Sequence, residues 1–460
     1  MSTPTETYDV IVIGAGPAGE VAAGRLAEGG REVVIVERDL VGGECSFYAC
    51  MPSKALLRPQ ELLAEAARVP GAAQAVDGRG VDAVATLERR DEIINHLDDS
   101  NQVPWLASKG IALVRGSARL DGERRVRVGD HVLEAREAVI VAVGTGAAMP
   151  PIPGLAEAQP WTNREITTTS DVPGHLVVLG GGVVGVEMAQ AWRSLGARVT
   201  VIEALDRLLA REEPFAGEQV AAALAERGID VRTGARAMRV ARDEDGPTSV
   251  ELDDGSVIGG DRLLVAVGRR PLTDELGLET IGLQPGASIE VDDTLRVPDH
   301  EWLYAVGDVN GRALLTHMGK YQARVATDRI LGDGDARIQI EGPLSPRVVF
   351  TDPQVAATGH TLASALDAGI PAEAYDLPTS ATAGASFVGR NAAGTTRFVV
   401  DSEREVLVGV TFVGPEVADF LHAATIAIVG EVPMSRLVHA IPSFPARSEL
   451  WLKFIEAYGR

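Results

Sequence analysis

A chain of 460 residues has room for about three domains, and an apolar content of 45% is enough to give each a buried core. A formal net charge of −22 argues against nucleic acid and anionic membrane surfaces as partners, because both need basic patches. The amino terminus, MSTPTETYDV, has no basic and apolar regions of a secretory signal, and no run reaches the roughly 18 apolar residues of a membrane span, so a cytoplasmic protein without membrane insertion is expected.

The first predicted unit is Tyr8 to Arg38, YDVIVIGAGPAGEVAAGRLAEGGREVVIVER. It reads as an apolar strand, a glycine turn, an alanine-rich helix and a second β-branched strand ending in Glu37. Gly14 permits the tight turn, Gly16 lets a pyrophosphate approach the backbone, and Gly19 lets the helix pack on the sheet. The phosphates then face the free N–H groups of the helix, and Glu37 accepts hydrogen bonds from ribose hydroxyls.

The next stretch, GGECSFYACMPSK, runs from Gly42 to Lys54 and holds both cysteines of the chain, Cys45 and Cys50. Two cysteines are no disulfide framework for this length, and a close pair in a cytoplasmic protein is redox-active or metal-binding. Structural zinc takes four ligands and no further Cys or His pair lies nearby, so redox chemistry is favoured and no metal is expected. Residues five apart in a regular helix have Cα atoms about 8–9 Å apart, whereas a disulfide tolerates about 7 Å. A disulfide between the two would therefore need the segment to be non-helical between the cysteines or a distorted helix.

Further along, His175 to Ala204 repeats the first unit: HLVVLGGGVVGVEMAQAWRSLGARVTVIEA. Its glycines are Gly180, Gly182 and Gly185, and Glu203 follows Gly180 by the same 23 residues that separate Glu37 from Gly14. Two dinucleotide units predict two dinucleotides, FAD and a nicotinamide cofactor. Cys45 follows Glu37 by eight residues, so the thiols lie near the first ligand. A thiol pair exchanging electrons with a cofactor needs a flavin beside it, which assigns FAD to the first unit and NAD(P) to the second.

With these motifs the sequence resembles the pyridine nucleotide–disulfide oxidoreductases, a family that includes dihydrolipoamide dehydrogenase, glutathione reductase and mercuric reductase. The family's redox segment typically reads GGTCxNxGCxPSK, and Cys45, Cys50, Pro52, Ser53 and Lys54 match it. AVIVAVGT (Ala138 to Thr145), LLVAVGRRP (Leu263 to Pro271), LYAVGDV (Leu303 to Val309) and VVFTDPQVAATGHT (Val348 to Thr361) resemble the FAD-return, NAD-domain, second FAD and dimerisation segments. The resemblance implies an α/β fold with two Rossmann-like domains and an α+β C-terminal dimerisation domain. FAD-binding sequence would cover 1–150 and 273–343, the NAD(P) domain 151–272 and the dimerisation domain 344–460. It implies a homodimer in which the C-terminus of one subunit completes the partner's active site.

By the same resemblance, NADH reduces FAD, and FAD reduces a Cys45–Cys50 disulfide. Cys50 would be the thiolate against the flavin and Cys45 the thiol that attacks substrate. Lys54 matches the lysine near flavin N5, and Glu187 its carboxylate partner. Gly43, Gly116, Gly144 and Gly268 join the cofactor-binding glycines, and Asp308 would hold the ribityl chain. Glu203 suits the free 2′-hydroxyl of NAD and repels the 2′-phosphate of NADP, although Arg207 lies four residues on.

The pattern breaks near the carboxyl end. The family usually carries His-Pro-Thr-x-Ser-Glu there, and this chain reads HAIPSFPARSE, His439 to Glu449. Ile441 stands before the proline in place of the histidine that moves protons in thiol–disulfide exchange. His439, Tyr48 and Glu449 are the candidate replacements. Two classes of function stay open: an NADH-dependent reductase of a small disulfide or a quinone-like acceptor, and a non-catalytic flavoprotein redox sensor.

Overall fold

The computed structural model describes residues 5–243 and 246–459. The chain divides into two compact units. The first comprises Met1–Pro52, Asp91–Ala148 and Gly268–Gly342; the second comprises Ser53–Arg90, Met149–Val267 and Pro343–Arg460.

The first unit is built on a parallel sheet. Strand β1 (Thr5–Ile13) leads into helix α1 (Pro17–Glu28) and strand β2 (Val33–Glu37), which returns parallel to β1 with Ile11 opposite Val34. Strand Ala112–Arg115 extends the sheet beyond β2, and His131–Val141 lies on the other side of β1. Leu303–Ala305, from the far end of the unit, adds parallel to the end of His131–Val141. The last four residues of β1 are fully buried because the sheet is covered on both faces. This explains why residues 10–13 and 33–36 read as unbroken apolar runs rather than alternating ones.

The second unit contains a four-stranded parallel sheet in the order Asp230–Arg232, Arg198–Ile202, His175–Leu179, Arg262–Val265. Helix Val183–Ser194 packs on it through Val186, Ala189 and the fully buried Trp192. The carboxyl-terminal part is an antiparallel five-stranded sheet carrying helices Leu421–Val429 and Leu450–Ala457. Its core centres on Phe398, which stacks on Phe454 with centroids 4.1 Å apart and meets Phe412 edge-on. The expected class is found: two Rossmann-like folds and an α+β C-terminal domain.

Candidate functional site

The two glycine turns have almost the same geometry. Gly14 and Gly180 have φ of +100° and +107°, and a Cβ there would come within 2.5 and 2.4 Å of a carbonyl oxygen, that of Ala142 and Ala266 respectively. At Gly19 and Gly185 a Cβ would lie 1.9 Å from the oxygen of the first glycine of the turn. These four positions hold helix, turn and sheet in contact. Gly16 and Gly182 differ, because a Cβ on either would have nothing within 4 Å. Each is the N-cap of its helix, and no side chain caps the first N–H groups. Such a cradle fits a pyrophosphate.

Each acid at the end of the second strand is fixed against its own turn. Glu37 accepts from the N–H of Ala15 and of Asp39, both at 2.7 Å. Glu203 accepts from Gly181 at 2.6 Å and from Leu205 at 2.8 Å. A carboxylate has about four acceptor sites, so both keep capacity for ribose hydroxyls. The contrast between the glycines gives a stability test. Gly185→Ala should cost on the order of 1–3 kcal/mol, because the methyl has no room. Gly182→Ala should stay within about 0.5 kcal/mol of wild type, since its backbone is extended and its surroundings open. Urea denaturation of both variants measures the difference.

The thiols sit in the first unit. Helix α2 (Gly43–Phe47) carries Cys45 and stops at Tyr48, where φ is −132° and ψ is 1°. Helix α3 (Cys50–Arg68) begins at Cys50 itself. The segment is thus non-helical between the cysteines, which relieves the spacing a continuous helix would impose. Both are thiols in the structure, and Cys50 Sγ lies 3.4 Å from Thr316 Oγ1. A hydrogen bond with Cys50, then burial, pushes the Cys45 thiol up; Thr316 and the Lys320 ammonium pull it the other way. At Gly43, with φ +60°, a Cβ would lie 2.7 Å from Gly16 Cα, so the start of α2 is pressed against the first glycine turn.

Asp308 belongs to a network that sequence reasoning missed. It accepts from Thr145 Oγ1 at 2.8 Å, and Thr145 Oγ1 in turn accepts from Arg269 Nε at 2.6 Å. The Arg269 Nη2 donates to the Thr145 carbonyl at 2.7 Å and to Glu44 at 2.5 Å. Burial raises the Asp308 carboxyl, and the Thr145 hydrogen bond and Arg269 charge act against that rise. Glu44 stands where the resembling segment usually has threonine, which was the available signal. Its partner Arg269 is far away in sequence, so no local pattern pairs them. Of the remaining glycines, Gly116 donates its N–H to the Glu37 carbonyl at 2.9 Å. Gly144 accepts from Leu272 at 3.2 Å and Gly268 from Ala148 at 2.9 Å, flanking the paired strands Thr145–Ala147 and Arg269–Pro271.

In the second unit, Lys54 Nζ is 2.8 Å from Glu187 Oε2. The other Glu187 oxygen accepts from the Phe350 N–H at 2.9 Å, and Nζ stands 4.7 Å from the Phe350 ring centroid. Glu187 is buried, so this pair offsets the desolvation of a charge that would be costly alone. Arg207 donates to the Ala210 carbonyl at 2.9 Å. Ile441 is 74% exposed, which places it on the surface of this subunit beside exposed His439. Glu449 is buried and accepts from Ala446 at 2.8 Å and Gly384 at 3.0 Å, a capping arrangement that holds the local turn.

Residues 8–327 match the pyridine nucleotide-disulphide oxidoreductase family, and residues 345–453 match the dimerisation domain of the same family. The chain belongs to this family. It is 33% identical to dihydrolipoyl dehydrogenase 3 of Pseudomonas aeruginosa, covering 99% of both chains. It is 30% identical to a Bacillus cereus mercuric reductase, covering 92% of this chain and 67% of that one. Among solved structures, the HOCl-induced flavoprotein disulfide reductase RclA of Escherichia coli, in its Cu(II) complex, superposes with a TM-score of 0.86 at 25% identity, over 98% of this chain and 99% of that one. The protein is therefore an FAD-dependent oxidoreductase of the dihydrolipoyl dehydrogenase-like class that uses a pyridine nucleotide. Among the described residues no helix is long and apolar enough to cross a membrane.

Proposed function

We propose that this oxidoreductase is a cytoplasmic homodimer that oxidises NADH, works through the Cys45–Cys50 pair, and favours quinone-like acceptors over disulfides. The observation that carries the acceptor class is Ile441 in place of a proton-carrying histidine. Bound FAD supplies the two-electron link between nicotinamide and thiols. The residues around it do the rest. The open turn at Gly16 and the acid Glu37 hold the dinucleotide, and Asp308, set by Thr145 and Arg269, orients the ribityl chain. The corresponding turn at Gly182, with Glu203, holds the nicotinamide cofactor. Lys54, fixed by Glu187, places a positive charge one helical turn from Cys50 and favours its thiolate. Cys45 is the outer thiol. In the C-terminal segment Glu449 is buried and caps a local turn, and His439 stands on the subunit surface beside Ile441. Steady-state turnover of 1,4-naphthoquinone and of lipoamide, measured with one NADH stock, tests this reading. Lipoamide turnover equal to or above that with the quinone overturns it.

The preference for NADH rests on Glu203, whose carboxylate repels a 2′-phosphate, and on Arg207 being turned to the Ala210 carbonyl. The ratio of kcat/KM for NADH over NADPH is expected to reach at least about tenfold, or about 1.4 kcal/mol. Equal use of the two cofactors would show that Arg207 swings to the phosphate.

A further inference from the structure

Two side chains that the site above leaves without a role, Glu20 and Lys320, act on the surroundings of Cys45. Helix α1 and helix Thr316–Ile330 run side by side in the same direction. Near their starts, a Cβ on Gly319 would sit 3.5 Å from that of Ala18. Two turns later, Arg25 donates to Thr327 Oγ1 at 3.1 Å and pairs with Asp328. This register brings Glu20 and Lys320 to the same level of the helix pair. Lys320 also stands four residues beyond Thr316, on the face whose first residue meets Cys50.

The charges around this spot come from several elements. Cys45 feels Cys50 from α3, the Thr316 hydroxyl, and Lys320 from the same helix as Thr316. Glu20 feels Lys320 and, from β2, Glu37. Glu20 is half-buried, and its side chain makes no hydrogen bond among the described residues. Burial and Glu37 push its carboxyl up to about 7, with Lys320 acting against them.

We propose that Lys320 is the cation that stabilises the Cys45 thiolate and that Glu20 is its counter-charge, the two serving as positioning residues for the outer thiol. The proposal rests on the reading of Cys45 as the outer thiol of a working pair. Ionising Cys45 releases one proton to water, and no other bond changes. Below the Glu20 titration the carboxyl is neutral and Lys320 acts on the thiol undiminished. Above it, the carboxylate cancels part of that field.

The test is the rate at which iodoacetamide alkylates Cys45 in the FAD-loaded enzyme, resolved by fragment mass spectrometry. The thiols are first opened with a phosphine, so the result does not depend on NADH, FAD reduction or any acceptor. Lys320→Met should slow alkylation about tenfold at about pH 8, whereas Lys320→Arg, which keeps the charge, should stay within about twofold of wild type. Glu20→Gln should match wild type at about pH 6 and exceed it about threefold at about pH 8. Three results would overturn the proposal: a wild-type rate in Lys320→Met, an equal loss in Lys320→Arg and Lys320→Met, or a Glu20→Gln profile parallel to wild type. The function proposed above is judged separately, by its acceptor ratio.

Discussion

With lipoamide or glutathione disulfide as acceptor, turnover is expected to be slower by about 10²–10⁴-fold than an enzyme with a C-terminal proton donor achieves, the range general acid catalysis supplies. Attack of a thiolate on a disulfide expels a second thiolate, and that leaving group is poor until it is protonated. Ile441 offers no proton, and Glu449 is buried, accepting from the N–H groups of Ala446 and Gly384. In the proposed mechanism the steps from NADH to the Cys45–Cys50 pair would draw on Lys54 and Glu187 instead, so they should run at ordinary speed. Rapid-mixing measurements separate the halves: fast bleaching of the flavin by NADH, followed by slow reoxidation with lipoamide and faster reoxidation with a quinone. Restoring a histidine by Ile441→His should raise the lipoamide rate and leave the NADH half unchanged. If wild type already turns over lipoamide rapidly, single substitutions of His439, Tyr48 and Glu449 would find the group responsible.

The cysteine variants should differ in kind. Cys50→Ser is expected to bind FAD but to lose the long-wavelength thiolate–flavin band and at least about 10³-fold of disulfide turnover, since Cys45 then has no second thiol with which to close the internal bond. Cys45→Ser should lose turnover equally but show the band before any NADH is added, because Cys50 then has no disulfide partner. Visible spectra of the purified variants, with and without NADH under argon, make the comparison. The opposite pattern would exchange the roles of the two thiols. The placement of Cys50 at the first residue of α3, with its Sγ 3.4 Å from Thr316 and Lys54 one turn on, supports the assignment as made.

Much of this was legible in the sequence because it depends on local backbone. The glycine turns are strand, turn and helix within some thirty residues, and the need for positive φ at Gly14 and Gly180 is visible wherever a glycine interrupts a strand–helix junction. The same holds for Glu37 and Glu203, set by one fixed spacing. The spacing of Cys45 and Cys50 even required that a regular helix not continue between them, and it stops at Tyr48. The Lys54–Glu187 pair lay beyond local reasoning. Its members are 133 residues apart, and only the resemblance paired them before the geometry did.

The family, the two nucleotide folds and the thiol pair all follow from patterns shorter than one βαβ unit, and a reader of the chain alone can find them. Which charges meet around those patterns is settled by the tertiary fold. Glu44 finds Arg269, Arg269 and Thr145 set Asp308, and the charge of Lys320 acts on both Cys45 and Glu20. The reason is physical. Backbone conformation is dictated within a few residues by sterics and hydrogen bonding, whereas the field at a side chain is a sum over whatever the fold brings within several ångströms, from any distance along the chain.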